Sequence, residues 1–223
     1  MLEPLLERAR GDENVVGVAV FGSRAYGLHL HDRSDWDVLL AVRELDESWS
    51  HERGGPVELA QLTLQRVADP PDWFRPALLH ADLRLDPTGE LAEALRRATV
   101  VDPASAAEPL DGYVNMLYRS LKNARAGLAL ASLLDAQESI PWLLQFVFAV
   151  HGRVRPYNKW LEWELREHPL AVEVDLGRLE RVGRTGDVGE QQALFRWAEA
   201  LARERGHGAT IDGWEPDVAW LRG

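Results

Sequence analysis

Residues 17–42 read GVAVFGSRAYGLHLHDRSDWDVLLAV, and this stretch decides the fold. Two apolar runs frame it, Val15 to Phe21 and Trp36 to Val42, each of strand length and each bounded by turn chemistry. Gly22 and Ser23 close the first run, and Asp35 and Asp37 open the second, twelve positions after Ser23. Strand side chains alternate between faces, so Asp35 and Asp37 project to one side while Trp36 points the other way, into the sheet. Two carboxylates held that close repel each other, and one pKa rises unless a cation lies between them. Oxygen donors at this spacing suit Mg²⁺, which takes one or two carboxylates and fills its shell from substrate phosphates. The Gly22–Ser23 turn leaves backbone N–H groups and a hydroxyl for phosphate oxygens when a helix starts from it. The same residues also fit a plain connection with solvated acids; the turn and the acid pair together, more than either alone, point to a site.

Outward from this stretch, Leu2 to Arg10 has helical spacing and stops at Gly11. Val57 to Val67 reads as a third strand at least in its first half, and Leu79 to Leu85 as a weaker fourth, closed by Asp86-Pro87-Thr88-Gly89. Glu90 to Ala98 reads as a helix. Beyond the Pro- and Ala-rich stretch from Asp102 to Pro109 the period becomes helical almost throughout. Leu110 to Ala126 is one helix, and Leu128 to His151 a longer one that Pro141 is expected to kink or divide. Asn158 to Glu167, Gly177 to Val182, Gly189 to Arg205 and Pro216 to Leu221 follow. The expected class is α+β: a mixed β-sheet with flanking helices over residues 1–105, then an all-α helical bundle over 106–223.

Composition narrows the function. The chain has 223 residues, 25 basic against 36 acidic, a formal net charge of −11, and 46% hydrophobic residues, enough to bury a core. A broad basic surface for nucleic acid is excluded, because phosphate neutralisation needs clustered Lys and Arg. The absence of cysteine removes disulfides, thiolate zinc sites and a Cys nucleophile. The N-terminus carries acid where a signal peptide needs base, and the longest apolar stretch, Trp142 to Val150, is about half of the ~20 residues that span a bilayer. A soluble, cytoplasmic protein without membrane contact is expected. Gly22 and Gly27 lack the Lys-Ser/Thr of a P-loop, and no G-x-S-x-G elbow occurs. His29-Leu30-His31-Asp32 is read as a polar loop, and Trp142 with Phe146, and Trp160 with Trp163, as core pairs at helical spacing.

The motif of an apolar strand, Gly-Ser, a spacer and Asp-x-Asp resembles the signature of the DNA polymerase β-like nucleotidyltransferase superfamily. It is most similar to the small bacterial members that include the antibiotic nucleotidyltransferases. That resemblance implies a nucleotidyltransferase-type mixed sheet. It implies that Asp35 and Asp37 hold two Mg²⁺ ions (or Mn²⁺), that Gly22 and Ser23, with Arg24 beside them, bind the β and γ phosphates of ATP or another nucleoside triphosphate, and that a later strand gives a third carboxylate. Glu58, between the apolar Val57 and Leu59, is the first candidate, and Asp82 on the fourth strand is its competitor. In the helical half, 118–127, Glu138-Ser139 and 155–159 are similar to the C-terminal helices of these enzymes, where basic residues close over the triphosphate. Arg119 and Lys122 share one helix face, which fits either that role or plain solvation, and Lys159 follows a rigid Arg155-Pro156 step.

The activity implied is transfer of a nucleoside monophosphate, AMP from ATP, to a hydroxyl, with release of pyrophosphate. The acceptor, a small molecule or a protein, is not legible; the negative charge favours a cationic one and makes nucleic acid a poor candidate. Two alternatives carry the same motif: a nucleotide-binding protein that has lost transfer, and an antitoxin-type protein that binds or modifies a partner. The minimal antitoxin-type forms lack an attached helical domain. The helical half shows no Arg and His separated by four to six residues, the pattern of HEPN-type ribonucleases.

Overall fold

The structure, a computed structural model, describes residues 2–28, 30–31, 34–49 and 55–223. The chain forms two compact units, Met1–Val100 and Val101–Gly223.

The first unit opens with helix α1 (Glu3–Arg10). Pro4 lies in its first turn, Glu3 stands at its positive end, and Arg8 and Arg10 stand at its negative end. Strand β1 (Val15–Phe21), helix α2 (Gly22–Tyr26), strand β2 (Trp36–Val42) and strand β3 (Val57–Thr63) follow. The third strand stops short of Val67 because Thr63 accepts a hydrogen bond from the N–H of Arg66, capping helix α3 (Leu64–Ala68). Helix α4 (Arg75–Leu78), strand β4 (Asp82–Leu85) and helix α5 (Glu90–Thr99) complete the unit.

The sheet order is β3-β2-β1-β4. The pair β1–β2 and the pair β1–β4 are antiparallel, whereas β2 and β3 are parallel, so the sheet is mixed. On one face Ala19, Phe21, Leu39 and Ala41 pack against Val67, Leu78, Leu91 and Leu95 from α3, α4 and α5. On the other, Val18, Val38, Leu40 and Val42 pack against Leu6 and Ala9 of α1 and against Trp49. With both faces covered, the two central strands need unbroken apolar sequence, which is the pattern they show. Trp36 packs on the α1 side, opposite Asp37.

The second unit is helical: α6 (Ala107–Arg125), α7 (Ala129–Ala149), α8 (Leu161–Glu167), α9 (Leu176–Thr185), α10 (Val188–Glu204), α11 (Gly208–Asp212) and α12 (Val218–Arg222). Helices α6 and α7 pack on each other around Tyr113, Leu117, Leu143 and Val147, and Val182, Phe195 and Leu221 close the core from α9, α10 and α12. Pro141 does not divide α7, which runs through it as one helix. The ring is exposed, and the residues just after it, Leu143, Leu144 and Phe146 to Ala149, are buried. Their packing offsets the hydrogen bond that the proline removes. No helix among the described residues is long and apolar enough to cross a membrane.

Candidate active site

Strand register assembles the site. Phe21, the last residue of β1, pairs with Asp37 on β2, and Asp37 pairs in turn with Glu58 on β3. Paired residues share a face, so these side chains form a row across three strands on the side covered by α3 to α5. Asp35 precedes β2 and joins them. One carboxylate oxygen from each of Asp35, Asp37 and Glu58 lies within 4.8 Å of the others, the one such group of His, Cys, Asp or Glu among the described residues. Asp35 and Asp37 are half-buried and Glu58 is exposed.

At such separations each pair of charges repels by about 1 kcal/mol in water-like surroundings and by roughly 3.5 kcal/mol at an effective dielectric near 20. Among the described residues no Lys or Arg pairs with the side chain of Asp35 or of Glu58. Three hard oxygen donors, converging and left without basic partners at two of them, fit a divalent ion such as Mg²⁺ or Mn²⁺.

Gly22 touches this group directly. Its φ is +68°, and a Cβ placed there would lie 2.2 Å from Oδ2 of Asp37. Only glycine fits, for both reasons. The turn after β1 and the acid at the head of β2, twelve or more residues apart in sequence, are therefore one structural feature. Ser23 follows in α2, half-buried, and the helix ends at Gly27 with φ +65°.

Residues 2–74 match the family model described as a nucleotidyltransferase domain. This part of the chain is a nucleotidyltransferase domain. No curated protein matches the chain. The match takes in Gly22, Asp35, Asp37 and Glu58, so the whole acidic group lies inside the nucleotidyltransferase domain.

Of the two candidates for a third carboxylate, Glu58 is the one in the group. Asp82 pairs with Val20 from β4, on the far side of β1 from β3, and its carboxylate meets Arg84 at 2.5 Å. Arg24 is engaged within the domain: Nε donates to the carbonyl of Asp35 (2.8 Å), a terminal nitrogen donates to that of Ser34 (2.5 Å), and the guanidinium lies 4.4 Å from the Trp36 ring. It braces the backbone that presents Asp35, a task its sequence position did not reveal.

The basic residues proposed from the helical half belong to the second unit. Arg119 pairs with the buried Asp135 of α7 at 2.9 Å, and Asn123 donates to the same carboxylate at 2.7 Å. Lys122 lies 5.9 Å from the Tyr118 ring, and Lys159, in the 3₁₀ turn Asn158–Trp160, lies 4.4 Å from the Trp160 ring. In the loop 29–32, His29 and Asp32 lie outside the described residues. The sequence reading passed over Trp73-Phe74; the signal there was the stiff Pro70-Pro71 step just before an aromatic pair.

Proposed function

We propose that the chain is a metal-dependent nucleotidyltransferase that moves AMP from ATP, or another nucleoside monophosphate from its triphosphate, to a hydroxyl acceptor. The observation that carries this reading is the convergence of Asp35, Asp37 and Glu58 beside Gly22 within a nucleotidyltransferase domain. The acceptor oxygen attacks the α-phosphorus in line, the bond from that phosphorus to the β-bridging oxygen breaks, and pyrophosphate leaves. Divalent ions bound at the acids would lower the pKa of the acceptor hydroxyl and offset charge on the triphosphate. Asp35 and Asp37 hold them. Glu58, exposed at the rim, completes the shell or takes the hydroxyl proton. The backbone N–H groups and hydroxyl at Gly22–Ser23 receive the β and γ phosphates. A net charge of −11 favours a cationic small molecule or a protein hydroxyl over nucleic acid as acceptor. Arg119, Lys122 and Lys159 are proposed to offset charge on the leaving pyrophosphate.

The test is pyrophosphate release from each labelled triphosphate with Mg²⁺ or Mn²⁺, with and without a panel of cationic hydroxyl compounds and protein acceptors. Acceptor-dependent release, lowered roughly 10³-fold or more by Asp37→Ala, is expected. Asp37→Ala with near-wild-type transfer refutes the reading. Tight nucleotide binding without release under any acceptor replaces it with a binding protein.

A further inference from the structure

Within the first unit one aromatic side chain is displayed rather than packed. Trp73 is 71% exposed, the most exposed large hydrophobic residue among those described. It is nevertheless held. Its ring lies 5.4 Å from that of Phe74, and Phe74 meets Phe21 edge-on at 5.5 Å. The loop carrying it begins Asp69-Pro70-Pro71, two residues with fixed φ. Arg75 clamps the loop, reaching Asp69 at 3.5 Å, Asp72 at 3.3 Å and the carbonyl of Ala98 at 3.3 Å. A few residues on, His80 meets Tyr26 of α2 edge-on at 5.1 Å. The segment is thus pinned beside the acids at two places, through β1 and through α2.

The path from the site is short and continuous. Phe21 is the strand partner of Asp37 and shares its face. From Phe21 the rings step to Phe74 and then to Trp73, where the series meets solvent. An indole fixed in this way offers a flat apolar surface at little ordering cost, which is what favours its use in recognition.

We propose that Trp73 is the stacking platform for the base of the nucleoside triphosphate, a subsite that rests on the nucleotidyltransferase reading above. Phosphates at Gly22–Ser23 and the acids leave the nucleoside to run outward, and the aromatic series ends where a flat ring can lie on the indole. Stacking reads a π-face and no hydrogen-bonding edge, so this subsite accepts purine triphosphates of either kind with similar affinity.

The experiment measures calorimetric binding of ATP, GTP and inorganic tripolyphosphate to the full chain with Mn²⁺, for wild type, Trp73→Ala and Trp73→Phe. Trp73→Ala is expected to raise Kd for ATP and for GTP by about tenfold or more. Tripolyphosphate should bind all three proteins equally, and Trp73→Phe should retain most of the nucleotide affinity. Unchanged ATP binding in Trp73→Ala overturns the proposal, and so does an equal loss for tripolyphosphate. Wild-type protein that binds ATP no more tightly than tripolyphosphate also overturns it, while leaving the transferase reading intact. Wild-type protein that binds neither removes that reading, and this one with it.

Discussion

Gly22→Ala separates the chemistry of the site from the stability of the fold. The added Cβ would stand 2.2 Å from Oδ2 of Asp37, well inside the 3.0 Å below which real contacts are essentially absent. Something must move by the better part of an ångström, and the mobile partner is the carboxylate, the far end of a short side chain. Relief by rotation is cheap for the fold and costly for the site, because that oxygen is one of the group proposed to hold metal. The backbone penalty is separate: an L-residue in the left-handed region costs roughly 1–2 kcal/mol, which for a chain of this size lowers Tm by about 2–8 °C. Gly27→Ala is the matched control. Its φ is +65°, nearly that of Gly22, but a Cβ there meets nothing within 4 Å. Both variants should therefore melt earlier by similar amounts. Only Gly22→Ala should lose Mn²⁺ binding, read by electron paramagnetic resonance, together with about 4 kcal/mol of transition-state stabilisation, or roughly 10³-fold in kcat/KM. Equal functional losses in the two variants, or Mn²⁺ affinity retained by Gly22→Ala, would show that the contact between the turn and Asp37 does not matter to the site.

Glu58→Gln removes one charge from the acidic group, so in metal-free protein Tm should rise by about 2–4 °C while the stabilisation by added Mn²⁺ shrinks; a fall in metal-free Tm would contradict the crowding argument. Arg24→Lys keeps the charge but loses the two-carbonyl grip and the stacking on Trp36; Mn²⁺ affinity should fall about 10- to 100-fold, as for other residues that orient a ligand from behind, and unchanged affinity would remove Arg24 from that role. In the second unit the paired hydrogen bonds from Arg222 hold the Glu199 carboxyl below its ordinary 4.5, with burial opposing and Arg203 assisting. That contribution is fully present above 4.5 and is lost as pH falls through the depressed folded value, so α12 should lose hydrogen-exchange protection in acid before α6 and α7 do; Arg222→Ala should show the same loss already at neutral pH.

What could be read from the chain depended on how local its cause was. Strands β1 and β2 were legible because a sheet covered on both faces demands continuous apolar runs, and the Gly22–Ser23 and Asp35–Asp37 motifs because each lies within a few residues. Glu58 and Asp82 were indistinguishable, since each is an acid between apolar neighbours at a strand start. Only register separates them: β3 runs parallel beside β2, with Glu58 opposite Asp37, and that pairing forms across a long connection. Arg119 on an amphipathic face looked like a solvated or phosphate-seeking cation, while its partner Asp135 lies on the next helix, beyond the reach of periodicity. Helices α2, α4 and α11, of 5, 4 and 5 residues, are too short to display a period at all.

The site is also where the domain departs from what stability alone would select. Three carboxylates converge where one would suffice to solvate a strand end, and a glycine in a left-handed conformation abuts one of them. An arginine is committed to two backbone carbonyls of the loop that carries the first acid. Each feature alone has an ordinary structural explanation. Together they form a coupled unit, since Gly22 makes room for the Asp37 carboxylate, Arg24 sets the backbone of Asp35, and the β2–β3 register delivers Glu58. Electrostatic repulsion within that unit costs folding free energy that no protein group among the described residues repays at Asp35 or Glu58, so the compensating charge must arrive with a ligand. A cation accompanied by a triphosphate supplies it, and the same ligand places a flat base within reach of the one large aromatic that the domain leaves open to solvent at this edge.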